Sequence, residues 1–317
     1  MKVLVTGIIP EEVMNLIQSE HEVEANEEDR PIERERLLRA INDKDGLLCM
    51  ITDTIDAALL ERAPRLKMIA NYGVGFNNID LEAATKKSIL VSNTPGVLTD
   101  ATADTTFALI LATARRVAEG DRQTRQGEFR FWAPFHFLGH EVSGKTLGII
   151  GMGRIGRAVV NRARGFNMNI LYYDSHPLEA SEEKSLGVKF VDMDTLISTA
   201  DFISLHVPLT DETHHLINHQ TFTKMKPTAY LINTSRGPVV DEKALVESLQ
   251  KGKIAGAGLD VYENEPDLTL GLAELSNVVL LPHVGSATIE TRTKMAQLAA
   301  ENLLAGLRGE RPPNCLN

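Results

Sequence analysis

Three glycines set the first chemical expectation. In Thr146-Leu147-Gly148-Ile149-Ile150-Gly151-Met152-Gly153-Arg154-Ile155-Gly156 an apolar strand runs into a glycine turn and then into a helix start. A dinucleotide needs that order: Gly151 makes the tight turn, Gly153 lets backbone approach the pyrophosphate, and Gly156 lets the helix pack closely on the strand. N–H groups at the helix start, around Arg154 and Ile155, then meet the phosphates with the positive end of the helix dipole. Asp174 closes the next strand, 18 residues after Gly156. A carboxylate there accepts both hydroxyls of an adenosine ribose and repels a 2′-phosphate. No arginine or lysine lies between Asp174 and Glu183 to neutralise one. The expectation is NAD(H) in preference, with NADP(H) as the second cofactor allowed. Three polar loops follow later strands: Asn233-Thr234-Ser235-Arg236-Gly237 with a fixed cation, Glu263-Asn264-Glu265-Pro266 with carboxylates, and Pro282-His283-Val284-Gly285-Ser286 with an imidazole. Open α/β sheets bind ligands at the carboxyl ends of their strands, so these loops could converge on one cleft.

The elements that must position them alternate from end to end. Strands are predicted at Val3–Thr6, Leu47–Ile51, Lys67–Ala70 and Ile89–Ser92, then at Thr146–Ile150, Ile170–Tyr173, Phe202–His206, Ala229–Asn233, Ala255–Asp260 and Val278–Leu281. Many are nearly all apolar, as parallel strands covered on both faces are. Helical patterns lie between them, among them Ile32–Ile41, Arg154–Gly165 and Glu242–Gln250. The reading is α/β, with doubly wound parallel sheets. A longer helix, Ala101–Ala118, follows the breaker cluster Asn93-Thr94-Pro95-Gly96 and carries one apolar stripe through Phe107, Ile110, Leu111, Ala114 and Ala118. A final helix spans about Thr288–Arg308. The acidic stretch Glu20–Glu35 reads as a solvated face. Phe129 to Phe137 gathers the only tryptophan, Trp132, and four phenylalanines into nine residues. Either this loop folds onto its own core or it forms a subunit interface or pocket wall.

Composition narrows the class. The 317 residues include 33 lysines and arginines against 43 aspartates and glutamates, a formal net charge of −10. Such a chain has no general attraction to phosphate backbones, so nucleic acid is not an expected partner. No apolar run approaches a membrane span, and Met1 to Gly7 reads as a strand and turn, not a signal peptide. Cys49 and Cys315 cannot build a disulfide framework, which fits a reducing cytoplasm. At this length two domains are expected. Several histidines invite metal readings that fail. His136 and His140 stand four apart, but Pro134 and Gly139 spoil a helix there. His214 and His215 are adjacent, point to different sides and read as a solvated pair. His206 packs at a strand end, and Cys49 is a buried inert thiol.

Taken together, the glycine motif, Asn-Thr-Ser-Arg-Gly, the run Asp260-Val261-Tyr262-Glu263-Asn264-Glu265-Pro266 and Pro-His-Val-Gly-Ser resemble the D-isomer-specific 2-hydroxyacid dehydrogenases. Asn71-Tyr72-Gly73-Val74-Gly75-Phe76-Asn77-Asn78-Ile79-Asp80 is similar to that family's substrate loop, and the resemblance covers nearly the whole chain. It implies a Rossmann nucleotide domain at 100–287 inserted into a flavodoxin-like substrate domain formed by 1–99 and 288–317. The family's catalytic residues fall on Arg236, Glu265 and His283. Reduction of a 2-keto acid requires hydride at C2, a proton on the carbonyl oxygen and a hold on the carboxylate. The resemblance makes His283 the proton donor, with a carboxylate at Glu265 favouring its imidazolium form, and Arg236 the fork for the carboxylate and the oxygen that gains charge. No metal is needed. Backbone N–H groups at Val74 and Gly75 complete the carboxylate cradle, with Val74 also bordering the cofactor. By the same resemblance Thr102, Thr234, Asp260 and Ser286 approach the nicotinamide end, and Val207, Pro208 and Thr213 the adenine side.

The Trp-Ala-Pro run looks most like the glyoxylate and hydroxypyruvate reductase branch, whose tryptophan reaches the neighbouring subunit's site. That implies a homodimer with Trp132 at its interface and in the pocket wall. Two rivals share the fold. One is 3-phosphoglycerate dehydrogenase, whose longer forms carry a C-terminal regulatory domain where this chain stops at Asn317. The other is an NAD-sensing interaction protein like the C-terminal-binding-protein corepressors, against which the lack of basic or disordered tails argues.

Overall fold

The structure is a computed structural model that describes residues 1–317. The chain divides into two compact units, Met1–Leu98 with Ala287–Asn317, and Thr99–Ser286. In the first unit the order is β1 (Lys2–Val5), α1 (Glu11–Gln18), β2 (Glu22–Ala25), α2 (Arg34–Ala40), β3 (Gly46–Met50), α3 (Ala57–Glu61), β4 (Met68–Tyr72), α4 (Leu81–Lys86) and β5 (Leu90–Ser92). The second unit holds α5 (Thr99–Ala114), α6 (Val117–Arg125), β6 (Thr146–Ile150), α7 (Arg154–Arg164), β7 (Asn169–Tyr173), α8 (Ala180–Leu186), β8 (Val188–Phe190), α9 (Met193–Thr199), β9 (Phe202–Leu205), α10 (His219–Lys224), β10 (Tyr230–Asn233), α11 (Glu242–Gln250), β11 (Gly256–Leu259) and β12 (Val278–Leu280). The last helix, α12 (Ile289–Leu307), returns to the first unit, where its Leu303 and Leu307 pack over Gly46.

Both sheets are parallel throughout. The first runs β2-β1-β3-β4-β5, the order of flavodoxin-like doubly wound sheets. The second runs β12-β11-β10-β9-β6-β7-β8. Renumbered from β6, that is the Rossmann order 3-2-1-4-5-6 with one strand added, and its switch point lies between β6 and β9. Strands β9, β10 and β11 are buried along their whole length, which is why they read as continuous apolar runs. Side chains fix where helices begin. Asp56, Asp80, Asp192, Asp241 and Thr288 each accept from a backbone N–H in the first turn of the helix they precede.

Three expectations change. The helix predicted over Ala101–Ala118 is two helices, α5 and α6, divided at Arg116, whose φ is 54°. α5 is not striped: Thr102, Thr106 and Thr113 are buried along with Phe107 and Ile110. The Thr106 and Thr113 hydroxyls donate to the carbonyls four residues back, so polar side chains survive inside the packing. The acidic stretch Glu20–Glu35 does keep its acidic side chains exposed as a solvated face, but it also contains an unexpected strand, β2, at the sheet edge. Its Glu22 and Glu24 side chains are exposed and discourage pairing with another chain. The aromatic loop does not fold onto a core: Trp132 is 80% and Phe135 87% exposed.

Candidate active site

Arg236, Glu265 and His283 all follow strands of the second sheet and lie in one unit. Arg236 comes three residues after Asn233, the last residue of β10. Asn233 shapes the turn: its Oδ1 accepts from Ser235 N–H (3.0 Å) and the Ser235 hydroxyl (2.8 Å), while its Nδ2 donates to Arg236 O at 2.9 Å. Gly237 must be glycine, because a Cβ there would lie 1.8 Å from Tyr262 O. That near-contact brings the arginine loop directly against the loop carrying Glu265. Burial lowers the Arg236 pKa, and the Glu265 carboxylate opposes the shift.

Glu265 is held at both oxygens. Oε1 accepts from Tyr262 N–H at 2.9 Å, and Oε2 meets His283 Nδ1 at 2.8 Å. Burial pushes its carboxyl upward, but the hydrogen bond and charge of His283, the Tyr262 N–H and Arg236 more than offset this, and the net shift is downward. The spacing of the three residues in sequence only suggested a meeting; the strand order brings glutamate and histidine into direct hydrogen bonding.

His283 has φ 53°, a left-handed conformation that costs a non-glycine residue about 1–2 kcal/mol. Asp260 holds it there. Its carbonyl accepts from His283 N–H (2.9 Å), and its two carboxylate oxygens accept from Val284 N–H and Gly285 N–H, each at 2.7 Å. Asp260 is 1% exposed; burial raises its pKa, against the pull of those two N–H groups. A second carboxylate, Glu242 in the first turn of α11, is equally buried. It accepts from Glu263 N–H (2.7 Å) and from the Thr269 hydroxyl (2.7 Å), anchoring the loop around Glu265. Sequence reasoning missed this, because an acidic residue after an N-cap reads as a solvated helix start. His214 and His215 are a correction too: their rings stack at 4.0 Å, and His215 Nε2 meets Glu263 Oε1 at 2.8 Å. His140 Nδ1 meets the Tyr230 hydroxyl at 2.6 Å.

The glycine turn fits a dinucleotide. Gly151 has φ 97°, and a Cβ on it would lie 2.7 Å from His206 backbone, across the switch point between β6 and β9. At Gly156 a Cβ would strike Gly151 O at 2.2 Å, whereas at Gly153 it would meet nothing within 4 Å. That open space lies at the start of α7, whose first turn has no side-chain cap, so its N–H groups face outward from Gly153, Arg154 and Ile155. Asp174 stands at the end of β7, with Oδ2 accepting from Met152 N–H (2.7 Å) and Oδ1 from His176 N–H (2.9 Å). Val207 and Pro208 follow β9, and the Thr213 hydroxyl donates to Pro208 O at 2.6 Å. Thr102 lies beside Gly285, Thr234 bonds the Thr106 hydroxyl at 2.8 Å, and Ser286 ends the unit. Val74 and Gly75 belong to the first unit, after β4, and are half-buried.

Cys49 is fully buried, and burial pushes its thiol well above its usual range. No helix is long and apolar enough to cross a membrane.

Residues 107–285 match the model of the D-isomer specific 2-hydroxyacid dehydrogenase NAD binding domain. Over the full chain the sequence is 52% identical to a glyoxylate reductase of Pyrococcus furiosus, covering 95% of that protein. It is 51% identical to one of Korarchaeum cryptofilum, covering all of this chain and 96% of that one. Among solved structures, a glyoxylate reductase from Paecilomyes thermophila superposes with a TM-score of 0.90 at 34% identity, covering 100% of this chain and 98% of that one. An NADPH-dependent glyoxylate/hydroxypyruvate reductase from Sinorhizobium meliloti, in complex with NADP and malonate, gives 0.89 at 34% identity, covering 99% and 96%.

Proposed function

The chain belongs to the D-isomer-specific 2-hydroxyacid dehydrogenases, and from that premise we propose that it reduces a small 2-keto acid, of the glyoxylate or hydroxypyruvate kind, to the D-2-hydroxy acid with NAD(P)H. The observation that carries the chemistry is the 2.8 Å contact between His283 Nδ1 and Glu265, with the arginine loop packed against the glutamate loop. With Nδ1 facing the carboxylate, Nε2 is the ring atom left to give a proton to the substrate carbonyl oxygen. Glu265 fixes the ring's orientation, and Asp260 fixes the backbone that carries it. Arg236 supplies permanent positive charge for the substrate carboxylate and for the oxygen that gains charge. Val74 and Gly75, in the first unit, carry the backbone N–H groups proposed by family resemblance as donors to the substrate carboxylate.

The Gly151–Gly156 turn and the start of α7 would hold the pyrophosphate, and Asp174 the adenosine ribose, with NAD(H) preferred over NADP(H) for the charge reason given above. When bound, the reduced nicotinamide supplies the hydride. In this reading the first unit is the substrate domain and the second the nucleotide domain. An aromatic loop as open to solvent as Phe129–Phe137 suits a second copy of the chain, and we propose a cytoplasmic homodimer in which Trp132 lines the partner's pocket. The direct test is NADH oxidation across glyoxylate, hydroxypyruvate, 2-ketogluconate, pyruvate and phosphohydroxypyruvate, repeated with NADPH. Turnover with glyoxylate or hydroxypyruvate supports the reading. Tight NADH binding without reduction of any keto acid refutes it and favours the sensor alternative.

A further inference from the structure

The loop after β4 presents three consecutive carbonyls, and each is already taken. Gly73 O accepts from Thr94 N–H at 3.0 Å and lies 3.5 Å from Asn71 Nδ2. Val74 O accepts from Asn93 Nδ2 at 2.7 Å, and Gly75 O from Asn71 Nδ2 at 2.8 Å. A peptide plane is rigid, so a carbonyl tied inward turns the next residue's N–H the other way. The N–H groups of Val74 and Gly75 donate to no other group of the chain. Two successive outward N–H groups form a concavity suited to an anion.

The two asparagines are themselves immobilised. Asn71 is fully buried, and its Oδ1 accepts from Asn78 Nδ2 at 3.3 Å and from the Cys49 thiol at 3.6 Å. Asn78 Nδ2 also reaches Met50 O (3.2 Å) and Asp53 O (3.1 Å). Asn93 is 7% exposed; its carbonyl accepts from Asn302 Nδ2 at 3.3 Å, on the fully buried face of α12. Carbonyl acceptors at Val74 and Gly75 require the amide nitrogen, not the oxygen, to face them. Aspartate at either site would therefore place an acceptor against an acceptor.

We propose that Asn93 and Asn71 are positioning residues for the substrate carboxylate: Asn93 sets the Gly75 N–H through Val74 O, and Asn71 steadies the loop that carries both N–H groups through Gly75 O and Gly73 O. The enzyme thereby selects carbonyl compounds bearing an α-carboxylate before any loop movement. The inference rests on the reading of Val74 and Gly75 as carboxylate donors, and the experiment separates the two. Asn93→Ala, Asn93→Asp and Asn71→Ser are assayed with glyoxylate and with its uncharged methyl ester, with oxalate as competitive inhibitor and NADH affinity followed by fluorescence. Removing one net hydrogen bond from the cradle should raise glyoxylate KM and oxalate Ki together by about five- to tenfold. Asn93→Asp should do so more strongly than Asn93→Ala. kcat, NADH affinity and kcat/KM for the ester should stay within about twofold. A KM for glyoxylate unchanged in the folded Asn93 variants overturns the proposal, as does an equal loss for acid and ester. If Asn71→Ser does not fold, the Asn93 pair decides. Val74→Pro deletes one N–H while leaving the Asn93 bond to the carbonyl. Should Val74→Pro leave glyoxylate KM untouched, the carboxylate reading itself fails; should it raise KM while the Asn93 variants do not, only the positioning role fails.

Discussion

Replacing Asp260 by asparagine tests the support of His283, the proposed proton donor, with the least change in volume. In the wild type both carboxylate oxygens accept backbone N–H groups, from Val284 and Gly285, at 2.7 Å each. An asparagine has one carbonyl oxygen, so one N–H keeps an acceptor while the other faces an NH2. The variant loses one charge-assisted hydrogen bond and leaves a buried donor without an acceptor, together about 2 kcal/mol or more. Where that free energy appears depends on the loop. If the loop stays in place, the second unit melts lower by roughly 4–8 °C. If Val284 and Gly285 swing away, His283 loses the left-handed backbone that aims it, and kcat falls by about 30-fold, the rate equivalent of the same 2 kcal/mol. Calorimetry and steady-state kinetics on one preparation read both, and the two losses together should account for the bond. NADH affinity separates cofactor contact from loop support: a large loss of NADH binding with intact kcat would assign Asp260 to the cofactor. An Asp260→Asn enzyme with wild-type kcat and melting temperature would refute the reasoning.

Asp174→Ala removes the carboxylate proposed to repel a 2′-phosphate, and the ratio of kcat/KM for NADH over NADPH should fall by about tenfold or more; an unchanged ratio would place cofactor choice elsewhere. His206 is held by burial at a pKa of about 3 and bonds the Ser204 hydroxyl at 2.8 Å. The unfolded chain binds a proton near pH 6.5 that the folded chain refuses until about pH 3, so this residue makes stability fall as pH drops through that window. Its share is at most roughly 5 kcal/mol, reduced because the residue is not wholly enclosed. His206→Asn should flatten the acid limb of a urea-denaturation series, and an unaltered slope would contradict this. Trp132→Ala should move sedimentation equilibrium toward monomer and raise KM for the keto acid; a dimer of unchanged affinity would exclude Trp132 from the interface. In the native protein Cys49 should resist a thiol reagent that labels it in urea, as its burial and raised pKa require.

The parts of this molecule that were legible in its sequence are those whose physics is local or periodic. β6 and α11 run over Thr146–Ile150 and Glu242–Gln250 as predicted, because an apolar run before a glycine turn and an Asp-capped amphipathic segment have few alternatives. The edge strands β2 and β8 went unseen for the opposite reason: Glu22, Glu24 and Lys189 interrupt short segments that need only one covered face. The break between α5 and α6 was hidden because Arg116, an ordinary helix former, takes a left-handed turn supported by its bidentate pairing with Glu119 in the first turn of α6 and by its stacking over Phe137, a residue remote in sequence. The site divides in the same way. Arg236, Glu265 and His283 stand out as polar residues placed after strands, and it was the family resemblance that picked them as the candidate trio. Their supports do not, since Asp260 and Glu242 act through carboxylates that bind backbone of loops more than twenty residues away, and nothing in a residue's type states which N–H it will meet. Asp260 and Glu242 are buried where His283 and Glu265 are partly open, so the rigidity of these loops is set one layer beneath the side chains proposed to react. Neutral substitutions in that layer, such as Asn93→Ala, should therefore change aim without changing charge, so that kinetic constants tied to one substrate group move alone. The asparagines beneath Val74 and Gly75 and the aspartate beneath His283 make that separation measurable, one through KM for the acid but not its ester, the other through kcat at unaltered cofactor affinity.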